Sequence, residues 1–443
     1  MYSCVFGGLV MKKIAVIISV IAAVFSAALF FSSDSSAVNI SENSEFYSYL
    51  LECANSYQKE IDVTKFVKEN GWTTAQLSDS VKYFYMTEPG LFFVKQEMLI
   101  RYSNTGSKYQ VEFKYLYKQS EIEKMRKKLR KAALSATEAI TSDMTDAEKA
   151  LAVHDYIIAN CKYDQSHTKY SAYDCLVGGS SVCQGYTLAY IYVLRDILGI
   201  DCSAVLSDSQ NHSWNYVKID DNWYHTDLTL DDPTFYTISD KPYDALGMVS
   251  HKNFLLNDKE CKKSSDLHRS WDVLGYPKSD SKDFSEIFCK NSNSYTHKIG
   301  GLWYYAELDA DSPGVNYKKS GDSTLYTNIC AYDPKTGESS VIKQVKSNWF
   351  LHRDADTGKK LTKKSWYVES YLKLAAVGDT LYYNTADAIY RLNTSTGKAK
   401  KIYTLKKTDY SIYGIVAQSD TKLRICYKKD NSYSEKYLNL KLS

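Results

Sequence analysis

The chain has 443 residues, 44% hydrophobic and 24% charged, enough for two or three domains that each bury a core. Its 55 basic and 52 acidic residues leave a formal charge of +3, which excludes the strongly basic balance of a nucleic-acid binder and the acidity of a charged scaffold. Only 6 Pro and 20 Gly, against 39 Tyr and 15 Phe, exclude a collagenous or Pro-rich stalk and describe a chain of packed elements.

Lys12 and Lys13 precede an uncharged apolar run over residues 14–31, and a polar stretch then ends in Ser35-Ser36-Ala37. Basic start, apolar middle and small residues at the cut are the order of a secretory signal. The run also just reaches the length of a membrane anchor, so residues 1–37 are expected to be a signal peptide or an uncleaved anchor. In both cases the rest of the chain is expected to be secreted or held at the cell surface. Met11, directly before the lysines, offers a second start. Nine Cys follow this segment, and in an exported chain an odd number leaves a free thiol, a candidate nucleophile. No Cys-x-x-Cys pair is present to begin a structural zinc site.

Residues 38–140 read as an N-terminal α+β region. The spacing predicts a helix over 46–57 and a strand over 109–117, where Tyr109, Val111, Phe113, Tyr115 and Tyr117 alternate with polar residues. A helix over 121–140 follows, with Ile122, Met125, Leu129, Ala132, Ala136 and Ile140 on one side. Lys124, Arg126, Lys127, Lys128, Arg130 and Lys131 cover the rest, a solvated face before it is a contact for an anionic wall polymer. Thr145 and Glu148 have capping-box spacing and start a helix to Cys161, on whose apolar side His154 reads as a core residue.

Chemistry concentrates in residues 173–233, within a segment, 141–284, that reads as the catalytic domain. After the loop Gly178-Gly179-Ser180-Ser181, Val182-Cys183-Gln184-Gly185-Tyr186 opens an apolar helix that stops at Gly199. Cys183 thus stands at a helix N-terminus, where unpaired N–H groups and the positive end of the dipole favour a thiolate and could hold an oxyanion. Gly185 is read as leaving space beside it. Two strands follow, over 211–219 and 223–230. A turn centred near 220–221 pairs residues whose numbers sum to about 441, which brings His212 close to Asp227. A thiol, an imidazole beside it and a carboxylate behind that form the nucleophile, base and orienter set of acyl transfer.

Other readings remain at this stage. Cys183 could be an inert buried thiol and His212 a strand residue holding a carbonyl. Cys183, His212, His225 and Asp227 have zinc-ligand types, although only His225 and Asp227 are closely spaced. His225 is the rival base, and Asp231 and Asp232 read as turn residues rather than as the orienting acid.

These residues resemble the transglutaminase-like superfamily, the papain-like group that includes transglutaminases and bacterial exported cysteine peptidases. The resemblance rests on Tyr163-Asp164, Tyr173-Asp174, the Cys183-Gln184-Gly185-Tyr186 block, His212-Ser213-Trp214-Asn215, and Trp223-Tyr224-His225-Thr226-Asp227 running on to Asp231-Asp232-Pro233. Leu230 departs from it, since many members carry Trp there. The resemblance implies an α+β, papain-like core in which Cys183 is the nucleophile, His212 the general base and acid, and Asp227 the orienting carboxylate. It implies no cofactor and no metal, and a peptide or protein substrate at the cell wall or surface; water as acceptor would make a peptidase or amidase, an amine a cross-linking enzyme.

From residue 285 to 443 short β runs alternate with turns. Leu302-Trp303-Tyr304-Tyr305 is similar to Leu381-Tyr382-Tyr383, and Asp333-Pro334-Lys335-Thr336-Gly337 to Asn393-Thr394-Ser395-Thr396-Gly397, with insertions expected near 309–322 and 350–366. Imperfect repeats of this kind predict an all-β, propeller-like domain or a β-sandwich-like stack. A catalytically idle protein that binds a surface ligand through these repeats is the alternative to an enzyme.

Overall fold

The computed structural model describes residues 44–442, apart from 97–98, 104, 237–241, 245, 272–276, 313–320, 352–370, 431 and 433. The expected export segment and most of both expected insertions lie outside the described residues. Among those described, no helix is long and apolar enough to cross a membrane.

The N-terminal region opens with α1 (Glu45–Asn55), capped by the Ser44 hydroxyl and packed through Phe46, Tyr47 and Leu50. There follow β1 (Glu60–Asp62), α2 (Thr64–Asn70), α3 (Thr74–Thr87), β2 (Leu99–Tyr102) and β3 (Tyr109–Glu112), with β3 central in an antiparallel sheet. The strand predicted to Tyr117 ends at Glu112, because its continuation leaves the sheet and Tyr115 bridges Val94 instead. In α4 (Gln119–Ser135) Ile122, Leu129 and Ala133 are buried while Lys124, Lys127, Lys128 and Lys131 are exposed.

The α5 helix (Asp146–Asn160) starts at a formed capping box, in which Thr145 and Glu148 each accept the other's backbone N–H. After the short α6 (Ala172–Leu176) comes α7 (Cys183–Ile191), in which every residue from Gln184 onward is buried. The chain winds on as a π-helical turn over Tyr192–Ile197 and leaves at Gly199, whose φ of +71° suits glycine. An antiparallel sheet of β4 (Cys202–Ser207), β5 (His212–Ile219) and β6 (Asn222–Thr226) lies against this helix.

The β5–β6 register pairs Ile219 with Asn222 and Asn215 with Thr226, numbers summing to 441 as predicted. The second strand is shorter than predicted. Asp227 ends it by accepting the Leu230 N–H and so starts α8 (Leu228–Asp231), a local side-chain cap that outcompetes further ladder bonds. Beyond β7 (Thr234–Tyr236) and β8 (Pro242–Asp244), the segment around residues 253–256 returns to β6, with His225 and Leu256 exchanging both backbone bonds. Next comes α9 (Asp258–Ser264).

Three antiparallel meanders complete the chain: β9 (His297–Ile299), β10 (Leu302–Leu308), β11 (Gly321–Asp333) and β12 (Glu338–Leu351); then β13 (Leu374–Val377), β14 (Thr380–Asn384), β15 (Ala388–Leu392) and β16 (Ala399–Thr404); then β17 (Tyr410–Ser419), β18 (Lys422–Lys429) and β19 (Glu435–Lys441). The segments paired in the sequence hold equivalent places. Leu302 and Leu381 begin the apolar stretch of the second strand in their sheets, and the Asp333 and Asn393 turns join third strand to fourth, each ended by a positive-φ glycine, Gly337 or Gly397. No closed barrel or propeller is identified among the described residues. Each sheet is open, and among the described residues three sheets form no closed ring, short of the roughly four blades at which propellers close.

Packing crosses residue 285. The largest core cluster runs from Phe46 to Trp303 and takes in Cys289, while two others lie beneath the meanders.

Candidate active site

Two segments fix the nucleophile end. Asp164 accepts the backbone N–H groups of Ser166, Thr168 and Lys169, and this shell holds its carboxyl at about 2 although burial opposes it. Asp174 forms a capping box with Ser171 and also accepts the Tyr170 N–H. The loop before α7 is pinned to the chain so shaped: Ser181 N donates to Lys162 O, Val182 N to Lys169 O, and the Ser181 hydroxyl to Lys169 O. Gly185 then packs where no side chain fits. A Cβ there would stand 1.8 Å from Ser181 Oγ and 2.9 Å from Ser171 O, so its smallness serves the contact of helix and loop rather than space beside the thiol.

At the start of α7 the cap residue is Val182, which has no side-chain oxygen to offer. Gly185 N and Tyr186 N donate to Val182 O, while the N–H groups of Cys183 and Gln184 have no partner among the described residues. Both are free to receive an oxyanion. Cys183 is partly exposed, whereas the other eight described cysteines are buried.

His212 opens β5, and Asp227 lies just beyond the end of β6. His212 Nε2 donates to Asp227 Oδ2 at 2.6 Å. Because a carboxylate only accepts, Nε2 carries the hydrogen and Nδ1 is the nitrogen left for the Cys183 thiol, to which His212 is hydrogen-bonded. Burial alone would lower the imidazole pKa, but the Asp227 charge and hydrogen bond, together with Cys183, raise it to about 10. Burial likewise pushes the Cys183 thiol up, and the hydrogen bond and charge of His212 more than offset it, leaving the thiol below its ordinary value. Asp227 is held well below the usual carboxylate range against its own burial, first by His212 and then by His268.

The structure therefore brings Cys183, His212 and Asp227 together. It does not add His225. That ring accepts from Trp214 Nε1 at Nδ1 (3.0 Å) and donates from Nε2 to Asp258 (3.0 Å), so both nitrogens are engaged and the four-residue zinc set is not assembled. Asp231 and Asp232 also have other partners, the amide groups of Asn253 and the Tyr186 hydroxyl.

Sequence reasoning missed His268. Its Nε2 donates to the same Asp227 Oδ2 at 2.8 Å, making a buried His212, Asp227 and His268 group whose ligand-type atoms lie within 4.8 Å of one another. A second such group joins His154, Asp155 and His251. There His154, read as a core residue, is indeed buried, but its Nδ1 faces Asp155 Oδ1 at 2.9 Å and its Nε2 faces Asp231 at 3.4 Å. These carboxylates outweigh burial and raise its pKa to about 9. In both groups the close nitrogen–oxygen pairs are N–H groups donating to a carboxylate.

A half-buried thiol in line with a buried imidazole and a buried carboxylate, at a helix start whose first N–H groups have no partner among the described residues, is an arrangement that can support thiol acyl transfer. Residues 135–228 match the family model of the transglutaminase-like superfamily, so the chain carries a domain of that superfamily, its match ending one residue beyond Asp227. No curated protein matches the chain.

Proposed function

We propose that the chain is an exported enzyme that transfers acyl groups from peptide or protein carboxamides through a thioester on Cys183. The observation that carries this reading is the line from Cys183 through His212 to Asp227 at a helix start whose first two N–H groups have no partner among the described residues. In the resting pair the proton sits on His212 and the thiolate on Cys183. The thiolate attacks the carboxamide carbon, and the oxyanion formed is received by the Cys183 and Gln184 N–H groups. His212 Nδ1–H then protonates the departing amine or ammonia as the C–N bond breaks, leaving the thioester. Neutral His212 next takes a proton from water or an amine, which attacks the thioester and releases Cys183. Asp227 stays ionised throughout and keeps Nε2 protonated.

Export is inferred from the basic and apolar order of residues 12–37. A screen of cell-surface extracts and glutamine-containing peptides, scored for ammonia release, peptide cleavage and incorporation of a labelled amine, tests the reaction class and chooses the acceptor. The thioester reading expects an acyl-enzyme trapped by acid quench and cleaved by hydroxylamine in the wild type and missing in Cys183→Ser. Turnover that survives Cys183→Ser would overturn it.

A further inference from the structure

We propose that His268 is a positioning residue of this site: it holds Asp227 at the same oxygen as His212, its ring lying beside that of His212 with centres 5.9 Å apart, and limits how strongly that carboxylate pulls on the catalytic imidazole. The proposal rests on the acyl-transfer reading and goes beyond it, since His268 lies 40 residues past the end of the matched region.

Asp227 has few ways to move. Its backbone N–H donates to Asn253 O at 2.9 Å, and Oδ1 accepts the Leu230 N–H at 3.1 Å. Oδ2 alone accepts two imidazoles, His212 at 2.6 Å and His268 at 2.8 Å. Two donors on one oxygen share its electron density, so each weakens the other's bond. The His268 ring is itself fixed. Its Nδ1 is paired with Ser264 Oγ at 2.9 Å, its backbone N–H donates to Ser265 O, and Trp214 lies against it with ring centres 4.6 Å apart. Trp214 also stacks on His212 at 5.6 Å, so one indole spaces both imidazoles that meet the carboxylate. The other titratable groups turned toward this cluster are Cys183 from α7, His225 from β6 and Cys261 from α9, with Asp258 and Lys262 beyond them against His225.

Removal of the His268 N–H without admission of water leaves Asp227 Oδ2 to His212 alone. The imidazolium is then held more tightly, and it gives up its proton to the leaving group less readily. His268→Leu, which fills the space and offers no donor, should slow acylation about tenfold, the low end of what an outer partner of a functional histidine contributes. It should also move the alkaline limb of the pH profile to higher pH. His268→Gln, which restores an N–H donor, should return both to within about twofold of wild type.

The profiles are read twice, from acyl transfer and from alkylation of Cys183 by iodoacetamide. A second measurement needs no variant: in 15N-histidine-labelled full-length protein the His268 Nε2 should report a bonded, slowly exchanging hydrogen between pH 6 and 9. Coincident limbs in wild type and His268→Leu, failure of Gln to restore them, or an unprotonated Nε2 would each overturn the proposal. If the wild type turns over no acyl donor yet alkylates at Cys183 as an activated thiol, the enzyme reading fails and the alkylation limbs still judge His268.

Discussion

At the scale of single residues the site predicts an order of losses. Cys183→Ser should abolish turnover with the fold intact, because an alcohol ionises far less readily at the same helix start. His212→Ala should cost on the order of 10²-fold or more in acylation, as loss of a general base does. Asp227→Asn should fall between that and wild type, keeping a partner for the ring while removing the charge that lifts its pKa. His225→Ala should cost much less, since both nitrogens of that ring are engaged by Trp214 and Asp258. Steady-state rates of the four variants, each checked for native circular dichroism, test the order; a larger loss at His225 than at His212 would refute it. The acyl-transfer profile should be a bell. Activity rises as Cys183 ionises below its ordinary value and falls as His212 loses its proton near pH 10.

Three of these residues were legible because type and spacing agree: a Cys at a helix start, and two strands with a two-residue turn that forces His212 and Asp227 together. His268 was not legible. It follows a short helix in a segment without strand or helix periodicity, and only the tertiary fold carries it to Asp227.

At the scale of elements, what aims the thiol is a loop tied to its neighbours and a helix begun without a side-chain cap. Capping would ordinarily stabilise such an end by about 1 kcal/mol, and Val182 forgoes it where the free N–H groups have a use. Gly185 shows how closely helix and loop meet. Gly185→Ala should destabilise the protein by about 1–3 kcal/mol, as overpacking does, and lower acylation as the loop shifts. Adding Ser181→Ala should recover part of the stability, because the nearest obstruction is the Ser181 hydroxyl, while the Cβ of residue 181 and the Ser171 carbonyl remain. Denaturant melts of the single and double variants measure this; equal stabilities would contradict the packing described. The helices read from periodicity, α1, α4, α5 and α7, fall within a few residues of their observed bounds, although α2 and α3 were not read, whereas the turning of residues 227–230 from strand into the short α8 was hidden, since it depends on one carboxylate choosing the Leu230 N–H.

At the scale of the molecule, the first meander is built into the same core as α7, the helix that carries Cys183. Trp303 is buried beside α5 and donates its indole N–H to Glu148 Oε1 at 2.5 Å, while Lys298 pairs with Glu148 and Asp143 at 3.1 Å. Asp155 accepts the Thr296 N–H and hydroxyl, each at 2.8 Å, and also His251. The alternating β pattern after residue 285 was visible in the sequence, but that its first strands would complete another segment's core was not, because partners 141 and 155 residues apart leave no local trace. Trp303→Ala should therefore cost about 3–5 kcal/mol and lower the unfolding of the α-helical part with it, rather than loosening the β sheets alone. Two calorimetric transitions with only one shifted would count against this coupling. Stability should also fall on the alkaline side. His154, raised from 6.5 to about 9, contributes stability that is complete below pH 6.5 and lost as pH rises through 9, and His154→Gln should flatten that part of the curve.

The central claim is that His212 activates Cys183, and the pH dependence of Cys183 alkylation by iodoacetamide tests it most directly. The other described cysteines are buried, so the reaction reports this thiol, read by mass spectrometry of its peptide. The account predicts that in the wild type alkylation is already half-maximal below pH 9, and that in His212→Ala the midpoint moves up to pH 9 or beyond. Identical midpoints in the two proteins, or a wild-type thiol that reacts only above pH 9, would contradict it.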